Sequence, residues 1–547
     1  MPLALLVGPA NAGKVARLLD RYLAALDREP FLVVPNRADV ERVERELIAR
    51  AGALLGGRIG TFDGLFRRVV ETAGPQAQAA RRPVIGPLRR SLLLRRVVAS
   101  ASLNGLGRSA RFAGFTDALG ETISDLTSAL VDPDDLEGDL AALYAAYRAE
   151  LDRAGVWDRD LEHAWAAGLV GSDFAAWDGR PVLAYGFEDL TGAQWTLLEA
   201  LAARVEVTVS LPYEPGRAVF ASLERTASDL ARLAQGRIEE LAAQRPYDAP
   251  ALAHLERTLF VETASEPPPL DGAVHFLEAA GPRAVLELVG EEILALLRDG
   301  TPADEVAVVC PSVERVRGPL ETAFSELGIP FAVEGTVPLG RAAFGHALLG
   351  LLRFAWLGGG RRELFAFLRS PYSGLPRTRA DFVEGRLRGR AVSDPARVEE
   401  ETRSLLGHGI PALDELRGLD EPLPAVVRSL ARAMLRAAYG LDRPPVGADA
   451  RLDLRARDAV EELAAELEGW EASGGTLARE SVVSALERAP VRLPGAREPG
   501  RVAVLDLLRA RTRRFQAVFV LGLEEGTFPR RASETPFLPD DERNALE

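Results

Sequence analysis

Lysine is all but absent from these 547 residues. Of 66 basic side chains, 65 are arginine, and the single lysine is Lys14. Cysteine is as scarce. Cys310 stands alone, which excludes a disulfide framework and any four-cysteine zinc or iron–sulfur site built within this chain. The five histidines (His163, His254, His275, His346, His408) lie at no metal-ligand spacing, and each reads as structural. No apolar run reaches membrane-spanning length, and Met1-Pro2-Leu3 carries no basic leader. The expectation is therefore a cytoplasmic protein with no membrane partner. A global positive field is missing too. The net charge is −14, so any contact with nucleic acid has to use local arginine-rich surfaces.

What is present is an ordinary globular balance, 47% hydrophobic and 27% charged, with length enough for three or four domains. The lone lysine sits in its most telling stretch. Leu3 to Val7 is a short apolar run that ends at Gly8, Gly13-Lys14 follows, and an amphipathic pattern starts at once. Strand, loop and helix with GxxxxGK spacing describe a phosphate-binding loop. Backbone N–H groups and the helix N-terminus would hold a phosphate, with Lys14 reaching its outer oxygens. A guanidinium is too broad and planar for a loop built around a compact point charge. Glycine at both offsets from a lone lysine arises by chance at roughly (50/547)², on the order of 1%. The nucleotide-binding set is Gly8, Asn11, Ala12, Gly13, Lys14 and Val15. The next position, usually a Ser or Thr whose hydroxyl holds Mg²⁺, is Val15, which offers no oxygen. Thr61 and Asn11 are alternative oxygen donors between which the sequence does not choose.

Along the chain, Phe31 to Asn36 reads as a second buried strand and Ala38 to Ala51 as a helix. Arg58 to Arg68 gives a short strand, a turn and a helix start. Residues 81–176 turn helical. Arg81, Arg82, Arg89, Arg90, Arg95 and Arg96 make this the most basic stretch, readable as a solvated face or as a phosphate-contacting one. Tyr144 and Tyr147 read as packing residues rather than base-stacking ones. Strands return at Arg180 to Tyr185 and Val205 to Leu211, with a helix from Gln194 to Ala203 between them. The Pro-rich Glu266 to Pro269 marks a linker. Beyond it, strands are expected at Val274–Leu277, Glu305–Cys310 and Phe331–Val333, with helices at Pro282–Arg298 and Pro319–Leu327. A mostly helical stretch from Arg341 to Glu498 precedes strands at Arg501–Leu507 and Gln516–Leu521. The fold class is α/β, with two similar cores that are each interrupted by a helical insertion.

That plan resembles the UvrD-type superfamily 1 helicases and, more narrowly, the AddB subunit of the bacterial AddAB helicase–nuclease and its RexB relatives. The phrases that carry the resemblance occur in order. They are Gly8 to Lys14, Val33 to Arg37, Thr61 to Leu65, Tyr185 to Gln194, Leu211 to Gly216, Asp304 to Val309, Gly328 to Phe331, and Val518 to Pro529 as the most specific. The resemblance implies two RecA-like P-loop cores. Core 1A spans 1–80 and 177–265 with insert 1B at 81–176; core 2A spans 266–340 and 499–547 with insert 2B at 341–498. It implies DNA contacts at Pro35, Asn36, Thr61 and Phe62. Arg511 and Arg513, in the run where helicases carry Gly-Leu-Glu, are taken as further DNA contacts. DNA, as a single strand or a duplex end, and an AddA-like motor and nuclease subunit are the implied partners, and ATP the implied cofactor.

The departures bear on mechanism. A working helicase ends its second motif with Asp-Glu, one supporting Mg²⁺ and the other activating water. Tyr185 and Gly186 stand there instead. With Val15, both protein ligands for the metal are lost, and no catalytic or metal residue is assigned. Asp540 to Glu547 resembles the start of the last helicase helix. In the family, a PD-(D/E)xK nuclease domain and iron–sulfur cysteines follow, so this chain is expected to be a fragment without the cluster. The expected function is the DNA-binding and ATP-binding portion of a subunit that processes double-strand-break ends, guiding a strand rather than driving it. Two alternatives stand beside it: a P-loop ATPase or phosphotransferase unrelated to DNA, and a nucleotide-independent interaction scaffold.

Overall fold

A computed structural model describes residues 3–112, 114–172, 177, 179–243, 247, 249–261, 266–418, 422–440, 448–493, 500–511, 513–528 and 537–538. Two compact units emerge. One comprises 1–85, 93–278 and 532–547, the other 86–92 and 279–531.

The first unit is built on a parallel sheet of β1 (Ala4–Gly8), β2 (Phe31–Val33), β3 (Arg58–Gly60), β4 (Val182–Ala184), β5 (Val207–Pro212) and β6 (Ile238–Glu240). The strand order is β3-β2-β4-β5-β1-β6, and every pairing is parallel. Alternation along each strand feeds two separate cores. Leu5, Val7, Phe31, Val33, Val182 and Ala184 face one cluster; Leu6, Leu32, Val34, Leu183 and Tyr185 face the other. A sheet covered on both faces favours apolar residues along its interior strands, which explains the runs at β1, β2 and β4, while β5 buries Thr208 and Ser210 among its valines. Helix α1 (Lys14–Ala24) covers the second face with Leu18, Leu19 and Tyr22, beside Val43 and Leu47 of α2 (Arg37–Ala51). Helix α3 (Phe62–Thr72) covers the first with Phe62, Leu65, Phe66, Val69 and Val70, a strict helical stripe. Strand β6 was not expected: Ile-Glu-Glu lies at the sheet edge, half-buried or exposed.

Between β3 and β4 the chain is helical, including Phe115–Ser128, Gly138–Ala154 and Arg159–Ser172. Tyr144 and Tyr147 are fully buried here. The Tyr147 hydroxyl donates to Asp158 at 2.8 Å, and Tyr144 shares a 2.9 Å hydrogen bond with Thr127.

The second unit carries another parallel sheet: β7 (Val306–Cys310), β8 (Phe331–Val333), β11 (Val502–Asp506) and β12 (Ala517–Val520), ordered β12-β7-β11-β8. An antiparallel pair, β9 (Thr336–Pro338) and β10 (Pro490–Arg492), lies on either side in sequence of the helices Ala343–Leu357 through Arg479–Arg488. Cys310 is buried, and its thiol donates to Leu505 O at 3.5 Å across the β7–β11 pairing.

One expected strand is absent. Val274–Leu277 is not extended into any sheet. Asp271 and Gly272 take left-handed backbone just before it, His275 hydrogen-bonds back to Gly272 O, and Phe276 is 85% exposed. A four-residue apolar run becomes a strand only when a neighbour supplies the ladder, and β7 already has partners on both sides in β11 and β12. Thr512, Pro529 and the stretch Asp540 to Glu547 lie outside the described residues.

Candidate nucleotide and nucleic-acid site

The loop 9–13 joins β1 to α1. Gly8 ends the strand where no side chain fits, because a Cβ there would meet Leu241 O at 2.3 Å. The Leu241 N–H donates to Val7 O at 2.8 Å, so the chain leaving β6 lies against the root of the loop. Asn11 (φ 58°) and Gly13 (φ 79°) are left-handed, the kind of turn that points successive N–H groups to one side. Ala12 is buried beneath them. Gly13 caps α1 with no side-chain hydrogen bond, which leaves the helix N-terminus to the backbone alone. Lys14 turns its ammonium back over the loop and donates to Gly8 O at 2.7 Å and Pro9 O at 2.5 Å. Burial lowers its pKa to about 8, because the charged form gives up water. These features suit a phosphate: a positive helix end, a turned backbone, and a cation held by acceptors that an anion can replace.

The two positions that would hold Mg²⁺ do not suit a metal. Val15 packs against the cluster that contains Leu18, Leu19 and Tyr22, and Tyr185 is a buried member of that same cluster. The Tyr185 hydroxyl accepts from Arg42 at 2.9 Å, and burial raises its pKa to about 12. Arg42 in turn donates to Asp39, which is 1% exposed, and lies 3.6 Å from Glu46. A neutral phenol clamped by a guanidinium therefore stands where a carboxylate would be. Among the described residues, no group of three or more His, Cys, Asp or Glu could hold a metal ion.

Because the sheet is parallel, the segments after β1, β2, β3 and β4 all emerge at its carboxyl end, the usual ligand side of such sheets. Gly8 to Val15, Pro35, Asn36 and Thr61 thus share one edge. Pro35 and Thr61 are half-buried. Asn36 serves as the N-cap of α2, accepting from Asp39 N at 3.0 Å and donating to the Asp39 carboxylate at 2.7 Å. Phe62 is 4% exposed, and its ring meets Phe187 edge-on at 4.7 Å. Its apolar surface is taken up by the core, which leaves none for stacking on a base. The helical stripe through residues 62, 65, 66, 69 and 70 was the sequence signal for that burial.

Arg511 and Arg513 belong to the second unit, some five hundred positions from the loop in sequence. Arg511 is exposed, whereas Arg513 is held by Glu334 in a two-bond clasp at 2.6 Å each. The basic stretch is also largely spoken for. Arg81 pairs with Glu162, Arg82 with Asp152 and Arg96 with Glu150. Sequence reading missed Asp39 and Arg42, although the Asn36-x-x-Asp39 spacing is a helix-cap signature.

By its fold, this is an α/β protein whose first parallel sheet opens with a glycine-bounded strand–loop–helix. Residues 5–256 match the family model described as ADDB, N-terminal. Curated relatives named as the B-type subunit of an ATP-dependent helicase/deoxyribonuclease align along the whole chain. Those from Pelotomaculum thermopropionicum and Desulforudis audaxviator are 26% and 27% identical, and that from Moorella thermoacetica is 28% identical. Each alignment covers 100% of this chain and 54% of the relative, so the chain spans about half the length of the curated relatives it matches. Residues 5–256 are similar to the AddB N-terminal family, and along its full length the chain is similar to AddB-type subunits. Among the described residues, no helix is long and apolar enough to cross a membrane.

Proposed function

We propose that this chain is the helicase-like portion of an AddB-type subunit of a helicase–nuclease that processes DNA double-strand-break ends. In this reading it binds DNA and ATP in the cytoplasm, alongside an AddA-like motor and nuclease subunit. The two sheets are RecA-like cores, 1A and 2A, and the helical stretches are inserts 1B and 2B. The order around β1 supports this: β5 lies between the loop strand and β4, whose end carries Tyr185.

The observation that carries the reading is the contrast at one site. The phosphate half is present in Gly8, Gly13 and Lys14, while the metal half is absorbed into a hydrophobic cluster through Val15 and Tyr185. A loop of this kind holds a triphosphate without assembling the Mg²⁺-activated water that hydrolysis needs. The chain then uses nucleotide as a structural ligand and guides a strand for the motor subunit.

Equilibrium ATP binding tests this, with Mg²⁺ and with EDTA, on the wild type and on Lys14→Ala. Binding that is lost in Lys14→Ala and indifferent to EDTA is expected. Binding that collapses in EDTA sinks the metal-free reading. A second reading is favoured by the two hydrogen bonds from Lys14 to Gly8 O and Pro9 O: the lysine staples the loop of a nucleotide-independent scaffold. No ATP binding in either protein, with Lys14→Ala less stable, selects that reading.

A further inference from the structure

The second unit contains a cavity of about 610 Å³ lined from the helices Ala343–Leu357, Arg361–Leu368 and Arg377–Gly389 and the turn around Pro371. Five arginines reach it: Arg361, Arg362, Arg369, Arg377 and Arg388. One carboxylate, Glu384, lines it with them, an excess of four positive charges in a chain whose net charge is −14. Asp381 behind it lowers the excess to three. Glu384 is 3% exposed and is shared by Arg369 and Arg388; Asp381 lies 2.7 Å from Arg369 and 3.9 Å from Arg377. Arg361 donates to Val392 O at 3.3 Å. Arg362 is exposed at the rim and forms no ion pair among the described residues.

Two carboxylates therefore orient Arg369, Arg377 and Arg388 without neutralising the set. Buried Phe365 and Tyr372 line the cavity beside them, and the like charges of Arg369, Arg377 and Arg388, 41–82% exposed, repel one another through solvent. An external anion with several oxygens relieves that repulsion, and guanidinium forks match phosphate oxygens well. The volume falls within the roughly 300–1,000 Å³ of small-ligand sites, room for a nucleotide or two rather than for a duplex.

We propose that this arginine-lined cavity binds the phosphodiester backbone of a single DNA strand. The inference rests on the reading that the chain handles DNA, and it gives that handling a site far from the nucleotide loop in sequence. Arg362 and Arg377 at the mouth meet the strand first, while Arg369, held by Asp381 and Glu384, presents a pre-oriented contact.

Fluorescence anisotropy with a labelled oligothymidine of about twenty residues, longer than the roughly 4–16 nucleotides that even a single-strand-binding OB fold covers, tests it on the full chain. The comparison is between the wild type, Arg362→Ala/Arg377→Ala, and an equal charge loss elsewhere in the unit, Arg283→Ala/Arg298→Ala. The mouth variant is expected to bind about tenfold more weakly at low salt. Its slope of log K against log salt falls by about 1.4, at about 0.7 per phosphate contact, and the control keeps the wild-type slope. Circular dichroism confirms that both variants fold. Three results overturn the proposal: an unchanged mouth variant, an equal loss in the control, or a loss confined to binding of thymidine monophosphate, which would mark a small-phosphate site. A wild type that fails to bind the oligonucleotide at all removes the DNA reading itself and this inference with it.

Discussion

Arg513 faces Glu334 fork to fork, each of its terminal nitrogens 2.6 Å from a carboxylate oxygen, with 14% and 7% of the two side chains exposed. The pair ties the residue after β8 to the turn that leads into β12. A buried ion pair of this kind contributes little beyond what an apolar pair would, but halving it leaves a stranded charge. Arg513→Ala is expected to destabilise the second unit by ~3–5 kcal/mol. Arg513→Ala with Glu334→Ala should recover a large part of that loss. Denaturant unfolding of the two variants checks this; equal losses would mean that the clasp is not what Arg513 supplies.

The ammonium of Lys14 sits near pKa 8 because burial disfavours its charge. A bound triphosphate favours the charged form, so nucleotide binding draws a proton from solution above that pH. At about pH 8.5, uptake approaches three quarters of a proton by linkage. Calorimetry in two buffers of different ionisation enthalpy reads this directly. Without ligand the sign is the reverse of a salt bridge: the folded state resists protonating Lys14, so its penalty is complete below about 8 and fades as pH rises toward 10.5.

Much of this architecture was legible for one physical reason. Strands covered on both faces are mostly apolar, so Val306 to Cys310 and Phe31 to Val34 announce themselves. Strand β6 did not, because an edge strand needs no such run and Glu239 is free to pair with Arg17 and Arg21 on α1. Val274 to Leu277 misled for the opposite reason: its residues suit a strand, but pairing is supplied by neighbours that the local sequence does not name. At the site, Gly8, Gly13 and Lys14 were readable from spacing. The Asn36 cap and the Phe62 stripe were in the spacing and went unread, whereas the partner of Arg513, 179 positions away, depended on a contact the spacing does not encode.

Gly8→Ala would press a Cβ to 2.3 Å from Leu241 O, a backbone atom with little room to yield. A loss of ~1–3 kcal/mol is expected, as for other overpacked sites. The substitution should loosen the chain after β6 first, which hydrogen exchange at the Leu241 amide will show. Faster exchange confined to α1 would contradict this.

His163 stacks on Phe66 at 4.2 Å, with Asp63 3.7 Å from its ring nitrogen. Burial holds its pKa below the ordinary 6.5 in spite of that carboxylate. The unfolded chain therefore takes up its proton first as pH falls, and stability drops from 6.5 toward the folded value. Between about pH 7 and about pH 5 the melting temperature of the wild type should fall more than that of His163→Phe. Parallel curves would show that His163 does not titrate on unfolding.

The strand that carries the Gly8–Lys14 loop is bordered by β5 at residues 207–212 and β6 at 238–240. On a ribosome the loop is therefore made first and seated last in its sheet. At about 5–20 residues per second, β1 waits roughly ten to fifty seconds for its neighbours to be synthesised. During that interval an apolar strand with both edges open is exposed to the cell, and the time the chaperones must cover is set by strand order and the pace of synthesis.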